Sequence, residues 1–194
     1  MNTTLGKFLL VCSLFFILAS FFAPFVLLTI FQQLFIQPEQ TWFFGSPFLN
    51  YGIYFVAFLI IGIAIGVFRY VFFNSEKTKM ATFTCFAAAL VPAFMALSLS
   101  ANHYYYFDEE GIHQNGLFQL TEEIHPWKDV EKMTVVTEDT AGGTKPVSMV
   151  FTERGGEEIL FPLTAQLIRK RNLLESRLVE MDVTLDAIYR QSDS

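Results

Sequence analysis

Residues 96–111 read Ala96-Leu97-Ser98-Leu99-Ser100-Ala101-Asn102-His103-Tyr104-Tyr105-Tyr106-Phe107-Asp108-Glu109-Glu110-Gly111. An uncharged apolar run ends inside this stretch, and a strand-prone aromatic run closing on an acidic turn begins. The rest of the chain divides at the same place. Of 23 Phe, 19 precede residue 103 and only Phe107, Phe118, Phe151 and Phe161 follow it. Residues 1–102 carry Lys7, Arg69, Lys77 and Lys79 against Glu39 and Glu76, a net of +2. Residues 103–194 carry nine Lys and Arg against seventeen Asp and Glu, a net of −8. This step predicts two regions, an apolar one over 1–102 and a polar one over 103–190.

Working back toward the N-terminus, three apolar runs are long enough for the roughly 20 helical residues that a bilayer core requires. They lie at about 8–35, 48–73 and 80–100. Arg69 falls near the end of the second, where its stem can carry the charge to the interface. A cleaved signal peptide fits the first run poorly, because its apolar core is about twice the 7–15 residues of such signals. Lys7, Arg69, Lys77 and Lys79 fall on one side of this topology. The first loop, residues 37–47, and the start of the polar region have no Lys or Arg until Lys128. Positive charge marks the inner side, so the N-terminus is expected inside and the C-terminal region outside. Pro24 and Pro92 are expected to kink their spans.

Gly62 and Gly66 form a GxxxG pair, and Ala81, Cys85, Ala89 and Ala93 form a ridge at spacing four. Small residues let helices approach closely, either between the second and third spans or in a homo-oligomer. No Asp, Glu, Lys or His sits within a span, as ion pathways and proton relays generally require. The lipid bilayer and another membrane or envelope protein are the expected partners. The acidic balance argues against nucleic acid. The polar region has no Cys and needs no disulfide.

Working forward from Gly111, the pattern is of short strands and turns. Asn115-Gly116 signals a hairpin, with Phe118, Leu120 and Ile124 continuing a strand by alternation. Further strands are expected at 133–136, 147–151 and 158–161, with a loop tip at 140–145 and a turn at Arg154-Gly155-Gly156. Thr164 can cap a closing helix. Its stripe would run through Leu167, Leu174, Leu178, Met181, Leu185 and Ile188, leaving Gln191–Ser194 frayed.

Two segments carry a family likeness. They are Tyr106-Phe107-Asp108-Glu109-Glu110-Gly111-Ile112 and, after a gap, Ile124-His125-Pro126-Trp127-Lys128-Asp129-Val130. Their order resembles the bacterial pleckstrin-homology-like domains that occur fused to transmembrane helices. In that family a strand and an acidic-Gly turn precede an Ile-x-x-Trp-x-Asp-Ile segment, and here Val130 takes the last place. The likeness covers about 103–181. It implies a bent antiparallel barrel capped by a C-terminal helix, a platform for protein or lipid binding, and no catalytic residues. Many members are cytoplasmic, against the charge count above. Trp127 is expected in the core and Asp129 at the turn into the next strand.

No motif carries chemistry. His103, His113 and His125 are ten and twelve residues apart, unlike zinc ligands at short spacing. Glu109-Glu110, Glu122-Glu123 and Glu157-Glu158 are adjacent pairs whose side chains diverge on a strand. The expectation is a non-catalytic, membrane-anchored binding or regulatory module with no catalytic, cofactor or metal residues. The alternative is an accessory subunit of a transporter or channel complex. An enzyme would require the three histidines to converge with carboxylates.

Overall fold

The computed structural model describes residues 3–74, 79–140 and 143–190. Glu76 and Lys77, Gly142 at the expected loop tip, and the expected frayed end at 191–194 lie outside the described residues. The chain divides into a helical unit (1–38, 45–104 and 115–122) and a β-rich unit (39–44, 105–114 and 123–194). The chain passes between them at 38/39 and 44/45 in the first loop, at 104/105, and at 114/115 and 122/123. The composition step does not reveal the passages in the first loop.

In the helical unit, helices α3 (Phe48–Asn74) and α4 (Lys79–Ala101) are each long and apolar enough to cross a membrane. At about 1.5 Å per residue, the 27 residues of α3 reach roughly 40 Å. The first apolar run is not one straight helix. It forms α1 (Thr3–Ala19), a π-helical turn at Pro24–Leu28, and α2 (Thr29–Phe35), with a bend of 72° across the break. The cause is local, since Pro24 has no N–H to donate back and opens the second piece at its first turn. Pro92, by contrast, lies inside the continuous α4.

Helix α1 runs antiparallel to α3. Arg69 Nε donates to the Gly6 carbonyl at 2.6 Å, and Ser13 Oγ to the Gly62 carbonyl at 2.7 Å. Further along, the rings of Phe16 and Phe58, Phe21 and Phe55, and Phe25 and Tyr51 pair at 5.2–5.7 Å. Gly62 is obligatory here. A Cβ would meet the Ile17 backbone nitrogen at 2.9 Å and its Cγ1 at 2.7 Å. The GxxxG pair therefore packs against α1 through Ser13 and Ile17, not against α4. Helices α3 and α4 meet through Ala57, Ile61 and Ala93.

The β-rich unit holds two four-stranded sheets. The first has the order β1-β2-β3-β4, with β1 at Phe43–Gly45, β2 at Tyr104–Phe107, β3 at Gly111–Asn115 and β4 at Glu123–Pro126. A 3₁₀ turn at Trp127–Asp129 leads into the second, of order β7-β6-β5-β8. Its strands are β5 (Val130–Thr140), β6 (Gly143–Glu153), β7 (Glu158–Pro162) and β8 (Thr184–Arg190). Neither sheet closes into the barrel that the family likeness implies. β8 pairs parallel with β5, Met133 opposite Leu185, and occupies that edge, while β4 and β7 remain edges.

Three further expectations change. The chain from Gly116 to Glu122 is a loop rather than a two-residue hairpin, and β4 begins only at Glu123. Phe118 and Leu120 are exposed, not alternating into a core. Helix α5 (Ala165–Glu180) ends before Leu185 and Ile188, which belong to β8. Asp182, at φ 64°, makes the reversal. Upstream, Thr164 caps α5 as expected, its hydroxyl accepting from Leu167 N at 3.2 Å.

The core of this unit is aromatic. Phe107, Phe151, Phe161 and Trp127 meet edge-on or tilted at 5.3–6.2 Å, with Leu167, Leu174 and Leu178 of α5 in the same cluster. The first loop joins it. Phe43 is buried against Tyr105 and Phe107, and Trp42 stacks on Trp127 at 5.9 Å with planes 7° apart. Trp42 N donates to the Phe107 carbonyl, Lys170 Nζ donates to the Trp42 carbonyl, and the Arg177 guanidinium lies over its ring.

Candidate functional site

β4 and β7, one edge of each sheet, border an open seam. Gln114 of β3, Glu123 and His125 of β4, and Glu157, Glu158, Ile159 and Leu160 at β7 line about 360 Å³. The register places these side chains. His125 lies opposite Ile112 and Glu123 opposite Gln114, so alternation sends all four to one face of the first sheet. In β7, Ile159 and Phe161 turn to the core, leaving Glu158 and Leu160 outward.

His125 is the fixed centre of the seam. Its Nδ1 donates to Glu153 Oε1 at 2.7 Å, and its Nε2 then accepts from the Gln114 amide at 3.0 Å. Glu123 Oε1 stands 3.8 Å from the same Nε2. Glu123, Glu157 and Glu158 add negative charge at an exposed rim beside the apolar Leu160, which is 63% exposed. The arrangement suits a cationic chain laid along a strand edge. It offers no positioned nucleophile.

The histidines do not converge. His113 lies on the opposite face of the first sheet from His125, its ring stacked on Tyr106 at 4.3 Å and its Nε2 facing Asp108 Oδ1 at 3.0 Å. Asp108 also accepts from Glu110 N and Gly111 N, which shapes the acidic turn. A Cβ at Gly111 would run into the His125 carbonyl, so the turn requires glycine. His103, in the helical unit, donates through Nδ1 to Asn50 Oδ1 at 2.8 Å, and burial lowers its pKa. Trp127 is buried as expected, donating through Nε1 to the Asp108 carbonyl. Asp129 is exposed, and its carbonyl accepts from Arg154 N at the strand corner.

Of the acidic pairs, Glu122 and Glu123 separate, Glu123 lining the seam while Glu122 accepts from the Tyr104 hydroxyl at 2.8 Å, but Glu157 and Glu158 both line the seam, against the expected divergence. Sequence reasoning did not gather Glu123, Glu157, Glu158 and His125, because their meeting depends on how two sheets stack. In the helical unit, Ala81, Cys85 and Ala89 line an apolar groove of about 460 Å³ with Ile60, Val67 and Phe68 of α3. Ala93 is buried between the two helices. Compared with family models, with curated proteins and with solved structures, the chain matches none of them.

Proposed function

We propose that the chain is a membrane-anchored, non-catalytic binding module of pleckstrin-homology-like descent. In this reading its acidic seam takes a basic, extended segment of another membrane or envelope protein. One observation carries it: two edge strands border a groove where three carboxylates surround an apolar rim. A strand edge supplies backbone hydrogen bonds for an added strand, and the charges select lysine or arginine at alternate positions. The order of three strands, an Ile-x-x-Trp-x-Asp corner, three strands and a helix supports the family likeness.

The anchor has three spans in this reading, the bent α1–α2 pair being one. Contacts between α1 and α3 extend from Gly6 at Arg69 to Phe21 at Phe55, which supports a full crossing. Lys7 and Arg69 come to the same end of the helical unit, and the positive-inside bias makes that end cytoplasmic. β1 follows the first span and hydrogen-bonds β2 directly after α4, so the first loop and the β-rich unit share the other, extracytoplasmic side. A second reading, an accessory subunit of a transporter or channel, draws on the apolar groove between α3 and α4, wide enough for a partner's side chains.

A photo-crosslinking residue at Leu160, activated in native membranes, tests the module. A discrete adduct that disappears in Glu123→Lys/Glu157→Lys/Glu158→Lys supports the seam. Equal labelling from Gly155, on the adjoining turn, would discard it. Sidedness is tested separately with Gly155→Cys in a Cys12→Ser/Cys85→Ser background. Reaction of intact cells with an impermeant maleimide is expected, and reaction only after lysis would reverse the topology.

A further inference from the structure

Among the exposed hydrophobic side chains outside the long helices, two stand together at the tip of one short loop. Phe118 is 82% exposed and Leu120 95%. The loop is shaped rather than slack. Gly116 N donates to Gln119 Oε1 at 2.7 Å while Gln119 N donates to the Gly116 carbonyl at 3.0 Å, closing a tight turn that carries Phe118, with Leu120 just beyond it. An apolar tip held out by its own hydrogen bonds is what a protein surface in water avoids.

The placement of the loop identifies what meets it. Residues 115–122 belong to the helical unit, although they connect two strands of the other. Their base is fastened next to a membrane helix, the Tyr104 hydroxyl donating to Glu122 Oε2 at 2.8 Å. Burial, together with that bond, pushes the Tyr104 hydroxyl up to about 12, so the proton stays and the tie holds at physiological pH. Tyr104 follows the end of α4, Ala101, by three residues, a reach of at most about 11 Å at 3.3–3.6 Å per residue. The base of the loop therefore stands at headgroup depth, and Phe and Leu side chains there gain by entering the acyl boundary. No Lys or Arg lies between Asn115 and Glu122 to be drawn in with them.

We infer that the Asn115–Glu122 loop is a second membrane contact, Phe118 and Leu120 dipping into the leaflet that α4 leaves. The inference rests on the membrane reading of α3 and α4 and is independent of the acidic seam. Its chemistry is that of an apolar tip with no Lys or Arg, so it enters zwitterionic lipid without needing anionic lipid.

The test uses the full chain in phosphatidylcholine vesicles, with Cys12 and Cys85 replaced by Ser. A nitroxide is attached at Phe118→Cys, at Leu120→Cys or, as a control, at Gly155→Cys. Collision with oxygen over a water-soluble nickel chelate is expected to be several-fold higher at 118 and 120 than at 155. Equal nickel access at the three positions would overturn the inference. Dipolar broadening at 118 that vanishes on dilution with unlabelled protein would also overturn it, since a second copy would then cover the loop. Both loop residues are exposed, so the labelled chains retain the fold, and unchanged circular dichroism verifies it.

Discussion

The helical unit buries Ser13, Ser20, Gln32, Asn50 and Ser100 to 5% exposure or less, whereas the β-rich unit is centred on Phe107, Phe151, Phe161 and Trp127. In the first, the many phenylalanines face outward, among them Phe15, Phe22, Phe35 and Phe94. In the second, Phe43, Phe107, Phe151 and Phe161 are buried. On the membrane reading of the helical unit, the difference reflects the solvent. Lipid tails give apolar side chains no reason to leave them, so helices associate through close contacts of small residues and through hydrogen bonds. Water supplies the drive that the β-rich unit uses, roughly in proportion to the apolar area removed.

The comparison is sharpest where one side chain is removed from the aqueous core. Phe107 is wholly buried and meets Phe43, Trp127, Phe151 and Phe161. Phe107→Ala is expected to cost the β-rich unit about 3–5 kcal/mol, the range for such truncations. Limited proteolysis between 105 and 190 should accelerate accordingly. Phe22→Ala, at a side chain exposed on the helical unit, should leave the thermal midpoint unchanged. Equal losses from both would break the contrast.

The second effect belongs to the helical unit and comes from adding atoms. Gly62→Leu forces α1 away from α3 at Ile17 and Ser13, and is expected to cost about 1–3 kcal/mol, as overpacking does. Gly52, with nothing within 4 Å of a Cβ, accepts alanine without loss. Thermal unfolding in detergent distinguishes them, and a harmless Gly62→Leu would remove close packing as the explanation.

These cases also show what the sequence made legible. The composition step near 102, the two long apolar helices, the acidic turn before Gly111 and the Thr164 cap depend on local pattern, and each could be read there. The bend at Pro24 was half-legible. Proline announced a disturbance, while its extent depended on how α1 and α2 pack. The first loop was missed, although Thr41-Trp42-Phe43-Phe44 is as strand-prone as Tyr104–Phe107. A three-residue strand has no period to detect, and its partner β2 lies some sixty residues on. Leu185 and Ile188 matched a helical stripe by accident, because spacings of three and four also occur across a turn followed by a strand. The acidic seam depends on tertiary stacking, which alternation within one strand does not encode.

Smaller than the packing effects is the contribution of a single polar tie. Asn50 donates through Nδ2 to Ser46 Oγ and to the His103 carbonyl, while its Oδ1 accepts from His103 Nδ1. Gln32 donates to the carbonyls of Ala101 and His103 from another helix. Asn50→Ala is expected to cost about 1 kcal/mol, near the average for polar contacts among membrane helices. Loss of all folded protein would mean that the tie, rather than helix packing, organises this end.

The smallest expected effect follows from the same cluster and concerns pH. Burial lowers the His103 pKa from 6.5, and its neighbours Asn50, Gln32 and Ser100 carry no charge to offset that. The folded state then binds fewer protons than the unfolded state once pH falls below the ordinary histidine value. Linkage makes stability full above about pH 6.5 and diminishing as pH falls through the lowered value. Melting curves between about pH 8 and pH 5.5 should show a drop that His103→Gln, which still donates to Asn50, reduces. The two proteins differ only at residue 103, so the difference between the curves belongs to His103. Curves that stay parallel would place no titration there, and the contrast between units would rest on packing alone. A gap that widens toward acid would mark His103 as a point where the helical unit becomes sensitive to the water outside.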